Sequence, residues 1–328
     1  MRSRLPYQRP VAQQIGRHRG FSWYLVMGRY VQLIRPAEWV KNVFVLAGLV
    51  FSQRATDAEA IGLTLLAFAA FCLAASFTYV INDIGDREQD RLHPTKKNRP
   101  IASGVITTQQ AVLVAALLLT GAAALCCLLP RGFAVVLGNY VAMNLAYTYS
   151  LKRRVIVDVI VIAVGFVLRA VGGGVAIGAA TSPWLIVCTF TLCMFLGFGK
   201  RRCELAVIGD VAEAARHRRT LAGYSPDLLN HLTSVTAGIA IVTFLLYAMD
   251  LSGPQPPFDK RYLILTLPLV VYAIFRYTML IESGRVSGPT EVVINDRPFV
   301  MTILLWAAAA VVVVYWGNDL RSWLGLGR

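Results

Sequence analysis

Apolar and polar residues alternate along this chain in long blocks, with no short strand-like period. Nine apolar runs stand out, at about 38–52, 60–82, 107–129, 132–149, 155–172, 183–198, 228–250, 261–280 and 299–316. A helix needs ~20 residues to cross ~30 Å of hydrocarbon, so each run is a candidate span, the first and fourth being short. Ahead of them, Trp23 to Ile34 mixes aromatics with Arg29 and Gln32, as an amphipathic interfacial helix does. Arg35-Pro36 breaks that helix before the first span.

This pattern predicts an all-α membrane protein. Nine transmembrane helices would bundle around a cavity open to the cytoplasmic side, with cytoplasmic cap loops. Residues 1–36 would form the tail and interfacial helix, 37–316 one transmembrane domain, and 317–328 a short outer tail.

Composition agrees. Hydrophobic residues make up 56% and charged residues 15% of 328, where a soluble domain carries about 25% charged. The formal charge of +14 would suggest nucleic acid for a soluble chain. Here the basic residues lie in short segments between apolar runs, which suits lipid headgroups and excludes nucleic acid as a partner. With the N-terminus inside, the cytoplasmic segments hold 25 Lys and Arg and the outer segments 6. This asymmetry places the N-terminus in the cytoplasm and the C-terminus outside. The basic, polar N-terminus shows no signal peptide. Five of the six cysteines fall in apolar runs and none forms a C-x-x-C pair, so they read as small hydrophobes.

The second run flows directly into Asn82-Asp83-Ile84-Gly85-Asp86-Arg87-Glu88-Gln89-Asp90. On a continuous helix Asp83, Asp86 and Asp90 lie within about 60° of one another. Three carboxylates on one stripe repel, and a divalent cation removes that penalty. Hard oxygen ligands suit Mg²⁺ bridging to phosphates. The competing reading is a solvated helix end with Arg87 and Arg91 paired to the acids, but acids at a membrane boundary are expensive and usually functional. Lys96, Lys97 and Arg99 follow, either as counter-charges for a diphosphate or as ordinary positive-inside residues.

The box followed by His93-Pro-Thr-Lys-Lys-Asn-Arg-Pro-Ile-Ala-Ser-Gly104 resembles the UbiA superfamily of intramembrane prenyltransferases. Further segments resemble its branch of decaprenyl-phosphate phosphoribosyltransferases. They are Arg35 to Asn42, Tyr147 to Lys152 with Asp158, Gly165 to Ala170, Gly199 to Glu204, Arg219 to Tyr224, and Ile294 to Arg297. The prenyl-diphosphate branches carry a second acidic cluster after the sixth span. This chain opens that loop with Lys200-Arg201-Arg202-Cys203-Glu204, which suits a donor bearing an extra 5-phosphate.

The resemblance implies Mg²⁺-dependent transfer of 5-phosphoribose from 5-phosphoribosyl diphosphate to a polyprenyl phosphate, making a lipid-linked pentose donor for cell-envelope glycans. Asp83, Asp86 and Asp90 would hold metal. Donor contacts would come from Lys41, Asn42, Asn82, Lys97, Arg99, Lys152, Asp158, Lys200, Arg201 and Glu204. Lys41 has the alternative of snorkelling to the interface, and Asp158 that of pairing with Lys152. Arg87, Tyr147, Arg169 and Tyr224 are further candidates, with packing or internal pairing the competing role. A homo-oligomer is left open. The alternatives are a prenyltransferase acting from a prenyl diphosphate on an aromatic acceptor, and a transporter with an acidic site.

Overall fold

The computed structural model describes residues 19–93, 96–208, 220–249, 259–284, 291–292 and 295–323. No strand occurs among them. Helix α1 (Arg19–Ile34) ends at Arg35, whose left-handed backbone (φ 53°, ψ 60°) turns the chain at Pro36. A 3₁₀ stretch, Pro36–Leu46, leads into the short α2 (Ala47–Phe51). Then come α3 (Ala58–Gly85), α4 (Arg87–Leu92), α5 (Thr108–Cys126), α6 (Arg131–Tyr149) and α7 (Val157–Ala176). They are followed by α8 (Pro183–Ile208), α9 (Pro226–Met249), α10 (Leu267–Glu282) and α11 (Arg297–Trp323).

Seven helical segments among the described residues are long and apolar enough to cross a membrane. They are α3, α5, α7, α8, α9, the run Lys260–Glu282, and the Arg297–Gly317 part of α11. This is a multi-pass membrane protein. The two remaining apolar runs are the two that were short. The first is mostly 3₁₀, a geometry with poorer hydrogen bonds that seldom runs long. The fourth is a helix, α6, diluted by polar Asn139 and Asn144. The stretch 23–34, expected to be helical, lies in α1. The tail 1–18, loop residues 209–219, Ile294 and the last residues 324–328 lie outside the described residues.

α3 organises the bundle. Asp57 caps its start by accepting from Glu59 N (3.0 Å) and Ala60 N (3.2 Å). Its 28 residues are longer than the ~20 that hydrocarbon needs, and its last turn carries Asn82 and Asp83. Ala60, Ala67, Ala70, Ala74 and Ala75 are buried and let neighbours approach closely. α3 and α7 are the most buried of the seven spans.

Phe71 lies edge-on to Phe133 (5.7 Å) and Tyr140 (5.3 Å), joining α3 to α6. The 36–51 segment crosses α7 at glycines. A Cβ on Gly173 would stand 1.8 Å from the Val45 carbonyl oxygen. At one end of the bundle Lys152 reaches α3 and Tyr224 reaches the start of α7. At the other end Arg54 donates to Ile177 O (2.6 Å).

The crossing makes a prediction. Gly173→Ala should lower stability by about 3 kcal/mol or more, because the clash is with backbone. Gly62, also helical, has open space around it, and Gly62→Ala should be neutral or slightly stabilising. Thermal unfolding in detergent checks both, and equal midpoints would contradict the close crossing.

Candidate functional site

The acidic box spans the end of α3 and most of the short α4 that follows it. α3 stops at Gly85 and α4 begins at Arg87, with Asp86 between them at φ −95°, ψ 3°. The expected stripe is interrupted at Asp86, directly after Gly85, although Asp86 N still reaches Asn82 O (2.9 Å) and Asp90 N reaches Asp86 O (2.8 Å). The acids take different partners. Asp83 and Asp90 face one another, while Asp86 turns towards α6.

Asp83 and Asp90 are buried, 2% and 4% exposed. Arg99 Nη1 donates to both, at 3.0 Å to Asp83 and 2.7 Å to Asp90. Arg35 Nη2 closes the other side of Asp83, at 2.6 and 2.8 Å to its two oxygens. The sequence marks Arg35 as a helix break and as the start of a family-like segment, but gives it no site role. Its position directly before Pro36, at the foot of an apolar run, was the signal for more. Asp86 takes Lys152 Nζ at 2.6 Å and Asn82 Nδ2 at 3.0 Å, and Lys152 also donates to Asn82 Oδ1 at 3.2 Å.

Buried carboxylates of this kind cost several kcal/mol each unless paired, so each ion pair here keeps the box from repelling itself. No three of His, Cys, Asp or Glu gather as a metal cage among the described residues. The donor set still suits Mg²⁺, which binds through one or two hard carboxylates plus substrate phosphates. Oxygens of Asp83 and Asp90 already meet around one atom, the guanidinium nitrogen of Arg99.

A second polar cluster lies between the start of α7 and the end of α8. Arg201, 2% exposed, donates to Asp158 at 2.8 Å and to Glu204 at 2.6 Å. Tyr224 Oη donates to Asp158 at 2.8 Å and accepts from Ile156 N at 2.6 Å. Burial pushes the Tyr224 phenol up, and the Asp158 carboxylate adds to the rise, so it stays protonated as a donor. Ile156 itself has φ 68° and ψ −47°, a strained γ-turn costing about 1–3 kcal/mol.

Other predicted residues fall in distinct places. Lys41 pairs with Glu38, which also accepts from Tyr79 Oη at 3.3 Å. Lys97 and Lys200 are exposed. Tyr147 is half-buried on the last turn of α6. Arg87 donates to Thr108 Oγ1 at 3.3 Å, not to Asp83, Asp86 or Asp90. Asn42 is fully buried, and its amide is committed to Arg169 Nε (2.7 Å) and Cys72 Sγ (3.2 Å). Arg169 also donates to Gly165 O and Tyr140 Oη, both at 2.8 Å. Asn42, Asp158, Arg201 and Glu204 thus each have protein partners among the described residues. Tyr140, unmarked in the sequence, is the partner that accounts for Arg169 deep in a span. Of the motifs quoted above, Pro94, Thr95, Arg219 and Ile294 lie outside the described residues.

The class of molecule follows from these features: a polytopic helical bundle with a buried acid–arginine box at the end of one span. The sequence profile of the UbiA prenyltransferase family matches residues 42–293, and the chain belongs to that family of transferases. Decaprenyl-phosphate phosphoribosyltransferase of Corynebacterium glutamicum is 33% identical over 87% of this chain and 86% of that protein. The protein of the same name from Mycobacterium tuberculosis H37Rv is 32% identical over 88% and 94%. Among solved structures, a UbiA homolog from Archaeoglobus fulgidus bound to DMAPP and Mg²⁺ shares the fold at TM-score 0.66. It is 19% identical, covering 87% of this chain and 99% of its own. The resemblance read from the motifs is thereby borne out.

The buried network predicts that Arg169→Met lowers stability by about 3 kcal/mol, since Asn42 and Tyr140 lose a charged donor. Lysine should not restore it, lacking the planar fork that reaches three acceptors. An unchanged unfolding midpoint in either variant would contradict the network.

Proposed function

We propose that this chain transfers 5-phosphoribose from 5-phosphoribosyl diphosphate to a polyprenyl phosphate and releases diphosphate. The observation that carries the reading is the 32–33% identity, over most of both chains, to proteins named decaprenyl-phosphate phosphoribosyltransferase. The charge inventory supports it. Arg35, Arg99 and Lys152 crowd the acids, and Lys41, Lys97 and Lys200 lie on neighbouring segments. A site that joins two anions needs this excess of cations.

In this reading the N-terminus and the acidic box face the cytoplasm, where a soluble phosphosugar arrives, and the C-terminus lies outside. All nine helical runs cross, as one domain over 37–316, around a cavity covered by the loops after α3 and α8. Asp83 and Asp90, with Asp86 beside them, would hold Mg²⁺. When bound, the metal supplies Lewis-acid stabilisation of the leaving diphosphate. Arg35 and Arg99 exchange their carboxylate partners for donor phosphate oxygens, which guanidinium groups bind equally well. Lys152 holds the donor against Asn82 and Asp86. The bond from the anomeric carbon to the diphosphate breaks with its electron pair on the leaving group, and a lipid phosphate oxygen forms the new bond. That oxygen is already anionic, so no residue need act as a strong base.

Two experiments test this. Purified enzyme with Mg²⁺, polyprenyl phosphate and labelled 5-phosphoribosyl diphosphate should move label into the lipid phase. Activity with a prenyl diphosphate and an aromatic acceptor instead would replace this reading with a prenyltransferase. Asp83→Asn and Asp90→Asn should each reduce turnover at least ~100-fold while the protein still extracts normally. Retained activity in both would remove the box from the reaction.

A further inference from the structure

Between the Leu151–Arg153 turn and α7 the chain makes a γ-turn centred on Ile156, closed by Val157 N–H to Val155 O at 2.8 Å. Three non-glycine residues have positive φ among those described, and Ile156 is the β-branched one. Such a conformation persists only where its surroundings hold it. Besides the backbone bonds around it, one side-chain hydroxyl bonds this turn. Tyr224 Oη takes the Ile156 N–H at 2.6 Å and gives its own proton to Asp158 at 2.8 Å, so it grips the chain on both sides of the helix start. Tyr224 is 1% exposed. Gly223 lets its segment come this close, because a Cβ there would stand 2.4 Å from Val155 Cγ2.

The turn sits between two parts of the site. Four residues before it, Lys152 reaches Asp86 and Asn82. Two residues after it, Asp158 takes Arg201. The direction in which the chain leaves the turn therefore decides whether Lys152 reaches the acidic box.

We infer that Tyr224 is a positioning residue: its hydroxyl holds the strained Ile156 turn so that Lys152 is aimed at Asp86, linking the segment between α8 and α9 to the donor side of the box. Tyr224 touches no reacting atom and acts through Lys152. The kinetic part of this inference rests on the phosphoribosyl-transfer reading. The backbone part does not.

Tyr224→Phe keeps the ring and removes the hydroxyl. Hydrogen–deuterium exchange of the peptide covering 150–160 should speed up, and the donor KM should rise about tenfold, the scale of a lost hydrogen bond to a charged group. Ile156→Gly relieves the strain, since glycine adopts positive φ freely. The double variant Y224F/I156G should therefore recover both slow exchange and a low KM. Simple packing by the Tyr224 ring predicts that Y224F changes neither. Unchanged exchange in Y224F, faster exchange with an unchanged donor KM, or failure of I156G to rescue would each overturn the inference. If the wild-type enzyme transfers no phosphoribose, the functional reading fails, and exchange in Y224F and the double variant alone decides the latch.

Discussion

Asp83 is a carboxylate on the last turn of a long apolar helix, buried, and gripped by Arg35 and Arg99. Most of the site depends on that grip. Arg35 lies where α1 gives way to the 3₁₀ stretch, so its ion pair fastens the start of the bundle to α3. Arg99 carries the same charge across to Asp90 and so folds the segment after α4 back over the helix end. Without these cations the acids would repel one another, and with them the box is neutralised. A pair of carboxylates sharing one guanidinium nitrogen is a place where a metal and a phosphate together can replace what one arginine does alone.

The rest of the fold delivers this arrangement. α3, longer than a span requires, carries the acids at its C-terminal end. Alanines along it, and glycines on α7, let the helices pack close enough to remain rigid behind the site. The Asn42–Arg169–Tyr140 network ties the 3₁₀ stretch, α7 and α6 together beneath it. The Asp158–Arg201–Tyr224 cluster does the same for α7, α8 and the segment before α9. Two buried polar networks, both built on arginine, thus flank a third.

The sequence made the helices, the acidic box and the family legible, because long apolar runs and a box at the end of one of them are local patterns. It marked Lys152 as a site candidate for the same reason, a cation just past a helix end. The pairing was not legible. Asn42 stands beside Lys41 and was read with it, yet it turns inward to Arg169, a partner 127 positions away. Arg201 reads in the sequence as the start of a basic loop, yet it lies within α8 and pairs with Asp158 on another helix. The interruption at Asp86 is hidden because a helical wheel assumes an unbroken helix. Each of these depends on tertiary proximity, which a single sequence does not encode locally.

The central claim is that Arg99 occupies, at the Asp83–Asp90 pair, the place a divalent cation takes during the reaction. Electron paramagnetic resonance of Mn²⁺ bound to the purified protein, with no donor present, tests it directly. Arg99→Gln removes the competing charge, so the account predicts Mn²⁺ binding at least ~tenfold tighter than in the wild type, abolished again by adding Asp83→Asn. Mn²⁺ binding unchanged by Arg99→Gln would contradict it.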